Sequence, residues 1–208
     1  MPDGYPDQVT EPRRPRRPSY LEPAALEAIG DRSDPIAALH AAHETAAVLV
    51  RRGRAAADPE TIERLITLVD EIGLPTLADL WAQRPARTLP GALWRLYLLR
   101  EWMTAHPEAV AREYAAGVRF TEPNHAVAGI DPPGPDEVRR AADQILRGAF
   151  TGDFAVALER AAAFCAVTSS GRADVTSGAD AVGRAARLRD LADDLTACAG
   201  LWRAGRLE

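Results

Sequence analysis

Apolar positions recur every three or four residues along most of the chain, and no stretch alternates singly between turn signals. In TIERLITLVDEIG, Ile62, Leu65, Ile66, Val69 and Ile72 form one stripe, with Glu63, Arg64, Thr67, Asp70 and Glu71 opposite. This spacing predicts a helix that opens on Asp58 as N-cap and Pro59 in the first turn, and closes at Gly73. The same opening occurs at Asp34-Pro35, before PIAALHAAHETAAVLVRRGRAA, which meets no breaker until Gly53. Its stripe reads Ile36, Leu39, His43, Ala47, Val50. LPTLADLWAQ predicts another short helix.

LPGALWRLYLLREWMTAH, about residues 89–105, is apolar on nearly every side, as a helix enclosed by other helices would be. It is the expected central helix, and Pro107 restarts a helix after it. FTEPNHAVAGIDPPGP, residues 120–135, reads as the main internal loop and a candidate boundary between subdomains. Three helices follow it. The first places Val138, Ala142, Ile145 and Ala149 on one face; the second opens at Thr151 with Phe154, Leu158, Ala161 and Cys165 inward. The last carries a seam of Leu188, Leu191, Leu195, Cys198 and Trp202. That seam suits docking on the protein's own core or a homodimer interface. With a first helix in YLEPAALEAIG, the chain reads as an all-α compact bundle of about eight or nine helices over residues 19–208.

Residues 1–18, MPDGYPDQVTEPRRPRRP, break the pattern: few apolar groups and many prolines predict a disordered tail with polyproline character. With a formal charge of -5, the body lacks the general field of a nucleic-acid binder. All 25 basic residues are arginine. Without lysine there is no Schiff-base nucleophile and no P-loop lysine, which excludes pyridoxal enzymes, class I aldolase chemistry and ordinary Walker ATPases. Cys165 and Cys198 stand far apart, outside any zinc or CxxC spacing, and read as buried small hydrophobes. No apolar run reaches the ~20 residues of a membrane span, and no signal-peptide core appears, so the expected location is cytoplasmic.

Three patterns carry candidate chemistry. In HAAHE, His40, His43 and Glu44 share a helix face and are legitimate ligands for zinc or iron. The order differs from HExxH, no second Glu-x-x-His motif exists, and a third ligand such as His106, His125 or Glu108 would be needed. Packing at a core edge explains the same residues without metal or any other cofactor. In the tail, Arg13, Arg14, Arg16 and Arg17 on a polyproline rod form a candidate strip for nucleic acid, or a PxxP ligand. In the central helix, Trp94, Arg95, Tyr97 and Trp102 are candidates to line a pocket in which Arg95 or Arg100 grips an anion. Core packing is the competing reading. Ser169, Ser170 and Ser177 fall in a small-residue loop without a GxSxG elbow.

LWRLYLLREWM and GAFTGDFAVALERAAAF, within residues 89–171, are similar to segments of uncharacterised helical proteins of high-GC actinobacteria. The resemblance implies a helical fold and carries no activity or site residue with it. The expectation is therefore a non-catalytic helical adaptor or regulatory protein holding a protein partner in a groove between helices, with a homodimer as one form of it. A nucleic-acid-associated regulator using the tail is its neighbour. The rival is a metal-dependent helical-bundle enzyme built on His40, His43 and Glu44.

Overall fold

The computed structural model describes residues 34–56, 58–130, 134–175 and 178–208. The predicted tail with its four arginines and the predicted helix in YLEPAALEAIG lie outside the described residues. The described residues are all-α, with ten helices: α1 Pro35–Ala55, α2 Pro59–Ile66, α3 Leu68–Ile72, α4 Leu74–Trp81, α5 Leu89–Ala105, α6 Pro107–Val118, α7 Glu122–Ala128, α8 Pro135–Thr151, α9 Phe154–Val175 and α10 Ala179–Arg203. No helix among them is long and apolar enough to cross a membrane.

The start signal at Asp58-Pro59 acts as expected. The Asp58 carboxylate accepts the Thr61 amide at 2.7 Å, and Pro59 occupies the first turn. The Thr88 hydroxyl accepts from Gly91 N at the start of α5. Three differences have local causes. The predicted helix over 59–72 bends at Thr67, whose hydroxyl bonds back to the Glu63 carbonyl at 3.0 Å. The predicted loop over 120–135 contains α7, because Pro123 starts a helix rather than breaking one and Gly129, at φ 68°, ends it. Thr151 stays in α8, its hydroxyl on Arg147 O, and Asp153 accepts from Ala155 N at the start of α9 instead.

The buried stripe of α1 is Ala42, Ala46, Val50 and Gly53, rotated from the expected one; Ile36 is 64% exposed. Small residues on this face let α1 lie close to Trp81 and Phe150. The Trp81 indole donates to Ala42 O at 3.2 Å, and a Cβ on Gly53 would meet Phe150 at 2.7 Å. Helix α5 is largely enclosed, as expected, but α9 is more so, with Phe154, Leu158, Phe164 and Val167 fully buried among alanines. Alanines on several faces admit α5, α6, α7, α8 and α10 around α9. The α6–α9 crossing is closest at Gly117 and Gly171, where a Cβ would collide with the Val167 and Glu113 carbonyl oxygens.

Candidate functional site

Helices α5 and α10 border a groove of about 520 Å3, and α9 supplies Arg172 to it. On α5, Trp94, Leu98 and Trp102 stand four residues apart and form a ridge about 12 Å long. Leu188 and Leu191 of α10 face them. The groove opens to solvent: Leu98 is 40% exposed and both tryptophans are half-buried. Its charged lining is Arg95, Arg172, Arg184 and Arg187 against Asp190 and Asp194. This is a local positive excess in a chain of net charge -5.

The four arginines are not equivalent. Arg172 forms a bidentate pair with Glu113, at 2.9 and 2.7 Å, and its guanidinium lies 5.1 Å from the Trp102 ring centre. The Gly117–Gly171 crossing brings these two side chains together. Arg95 donates to Gly91 O and lies 3.8 Å from Asp194, which also accepts from Arg87 at 3.2 Å. Arg184 and Arg187 have no ion-pair partner among the described residues, and both are exposed.

Polarity along the groove follows from two contacts. Arg95 meets Asp194 near the Trp94 end. The Ser169 hydroxyl donates to Ala185 O at 2.8 Å, which brings the start of α10 beside the Arg172 end of α9. Thus α5 and α10 run antiparallel. Arg184 and Arg187, which have no ion pair among the described residues, belong to the Trp102 end, and the Arg95–Asp194–Arg87 cluster, in which two guanidiniums share one carboxylate, to the Trp94 end.

Of the four predicted pocket residues, Trp94, Arg95 and Trp102 line the groove and Tyr97 does not. Tyr97 is fully buried, stacked 6.2 Å from Trp81, and its hydroxyl donates to Leu65 O at 2.6 Å. Burial pushes its phenol far above the ordinary value, with the Arg100 charge opposing. Arg100 also points away, toward Asp143 at 2.7 Å and Asp70 at 3.4 Å. These carboxylates raise the pKa of its guanidinium despite the opposing effect of burial. Arg172, Arg184 and Arg187 were not among the expected site residues. Arg184 and Arg187 flank the leucine seam of α10, and their place beside it is a signal present in the sequence. Arg172 lies some 70 residues from Trp102 and had no local signal.

The HAAHE residues sit on the outer part of α1: His40 and Glu44 are exposed and His43 is half-buried. Among the described residues no three His, Cys, Asp or Glu side chains are grouped to hold a metal, so neither His106, His125 nor Glu108 joins them. His125 instead bonds to the Tyr114 hydroxyl at 3.0 Å. Ser169 and Ser170 lie within α9 rather than in a loop, with hydroxyls bonded to the Ala185 and Ala166 carbonyls; Ser177 lies outside the described residues. Both thiols are buried, and burial lifts Cys165 to about 12 and Cys198 to about 11. The α10 seam is packed within the chain, with Leu195 and Cys198 fully buried, while Leu191 remains half-buried at the groove.

The lining described for the groove contains apolar surface, guanidinium donors and two carboxylates, and no hydroxyl, thiol or imidazole. It is equipped to hold an amphiphilic, anion-bearing group by burial and charge. Compared with models of known protein families, with curated proteins and with solved structures, the chain matches none.

Proposed function

We propose that the protein is a non-catalytic helical adaptor or regulatory module, and that the groove between α5 and α10 receives a segment of a protein partner. One observation carries the reading: the half-exposed Trp94–Leu98–Trp102 ridge faces Leu188 and Leu191 along an open groove. Exposed tryptophan and leucine cost the isolated protein hydration free energy that a partner would recover. Tryptophan and arginine are the side chains most enriched where protein interfaces carry their energy.

The test is selection of peptides from a random displayed library on the full chain. Each recovered peptide is then titrated against wild type and Leu98→Arg. Leu98 is exposed enough for the substitution to leave the fold intact, which circular dichroism checks. The expected outcome is recovered peptides whose affinity drops at least ~10-fold in Leu98→Arg, as for loss of a central anchor. Recovery of no peptide, or of peptides indifferent to the substitution, overturns the reading.

A further inference from the structure

We infer that the groove's occupant is an amphipathic α-helix with an acidic turn at one end, and that this turn meets Arg184 and Arg187. The inference rests on the proposed binding role and names the partner's chemistry.

Backbone chemistry selects a helix. Both walls of the groove are helices, whose interior N–H and C=O groups are already bonded along the chain. An extended peptide would find no edge to pair with, and its own backbone would lose water without compensation. A helix arrives with its backbone bonds made and presents only side chains. The ridge of Trp94, Leu98 and Trp102 has the i, i+4 spacing that fits between the side-chain rows of a second helix. A ridge of about 12 Å corresponds to a little over two helical turns.

Charge then sets the composition and register. At the Trp94 end, Arg87 and Arg95 both lie on Asp194, so each guanidinium there already has a carboxylate. At the Trp102 end, the Arg172 charge is taken by Glu113, while Arg184 and Arg187 are unmatched among the described residues. A partner carboxylate placed there gains charge-assisted hydrogen bonds without breaking an existing pair. Placed at the other end, it would face Asp194. Nucleic acid is the less favoured occupant, because Asp190 and Asp194 line the same groove and oppose a continuous phosphate chain.

The experiment uses the full chain and a synthetic helix-forming 14-residue peptide with leucines at i, i+4, i+7 and i+11 and two glutamates in its first turn. Binding is followed by tryptophan fluorescence and calorimetry. Three comparisons accompany it: the peptide with both glutamates changed to glutamine, a single-stranded oligonucleotide, and laurate. Binding of the acidic peptide should weaken about 10-fold on glutamine replacement, about 10-fold in Arg184→Ala/Arg187→Ala, and progressively with added salt. Arg184→Lys/Arg187→Lys, which keeps the charge, should retain most of it. Equal binding of the two peptides, no binding of the acidic one, or tighter capture of the oligonucleotide or laurate in the same groove overturns the inference. Library peptides that need Leu98 but are neither acidic nor helical would overturn this inference alone and leave the adaptor reading standing.

Discussion

Arg100 and Arg172 are both largely enclosed arginines on apolar helices, and their partners differ in a way that predicts different costs. Arg100 is 8% exposed, whereas its partners Asp143 and Asp70 retain 40% and 56% of their side-chain exposure. Arg100→Met would leave two carboxylates that water can still reach, so the loss should be about 1 kcal/mol. Asp143→Ala is the worse change. It strands a guanidinium that cannot be deprotonated, with only the longer contact to Asp70, and should cost about 2–3 kcal/mol. Urea unfolding of the two variants checks the order, and a larger loss for Arg100→Met would contradict it. In the Glu113–Arg172 pair both side chains are 13% exposed, so neither partner tolerates removal of the other. Glu113→Ala should therefore destabilise the fold and also loosen Arg172 from Trp102. Tyr97 belongs at this scale too. It lies three residues after Trp94 in LWRLYLLREWM, a run that is apolar on nearly every side of a helix. Which side of an all-round apolar helix faces other helices and which faces solvent depends on distant segments, so the sequence does not separate Tyr97 from Trp94.

At the scale of elements, the α6–α9 crossing is the most demanding contact. Gly171→Ala places a methyl group on the Glu113 carbonyl, and a helix backbone cannot yield as a flexible side chain would. The helices must part, at a cost of about 3 kcal/mol or more. Gly200→Ala in α10 is the matched control. Nothing lies within 4 Å of its added methyl, so it should stabilise by about 0.5–1 kcal/mol. Thermal melts of the two variants should shift in opposite directions. Helix starts were legible in the sequence at Asp58-Pro59 and Pro107, because these act through residues next to them. The 3.6-residue stripe of α8 was legible as well, since Val138, Ala142, Ile145 and Ala149 are all buried. The α1 face differs from the predicted one because alanine is a weak hydrophobic marker: Ala42 and Ala46 allow close approach to Trp81, while Ile36 and Leu39 stay outward. For α7, a proline-rich composition predicts a loop, whereas the position of Pro123 in the first turn favours a helix.

Across the whole molecule, the groove joins segments around residues 94–102, 172 and 184–194, and no local pattern links them. Three of the four residues proposed from the α5 sequence reach it, but five of its six charged residues come from α9 and α10. The same long-range packing makes the fold sensitive to alkali. Cys165 and Cys198 are held neutral by burial, at about 12 and about 11 against an ordinary 9.0, and the Tyr97 phenol is raised as well. The folded values lie above the unfolded ones, so this stabilisation is fully present below pH ~9 and fades as pH rises toward the folded values. Above pH ~9 the unfolded chain sheds protons that the native state retains. Each such proton lowers the unfolding free energy by about 1.4 kcal/mol per pH unit. On the acid side the sign reverses. Asp58 and Glu159 have folded values below the ordinary carboxylate range, through the Thr61 amide and Arg203 respectively, so their contribution is lost as pH falls through those values. The urea midpoint should therefore be flat near neutrality and fall on both sides, more steeply above pH 9 than below pH 5. At pH 8, native protein should leave both thiols unmodified by a disulfide reagent over the time in which urea-unfolded protein reacts at two. In Tyr97→Phe the alkaline slope should shrink by about one proton once the lost bond to Leu65 has lowered the whole curve. A midpoint unchanged between pH 8 and 11, or prompt reaction of either thiol in the native state, would place these groups in contact with water and contradict the packing of α9 and α10.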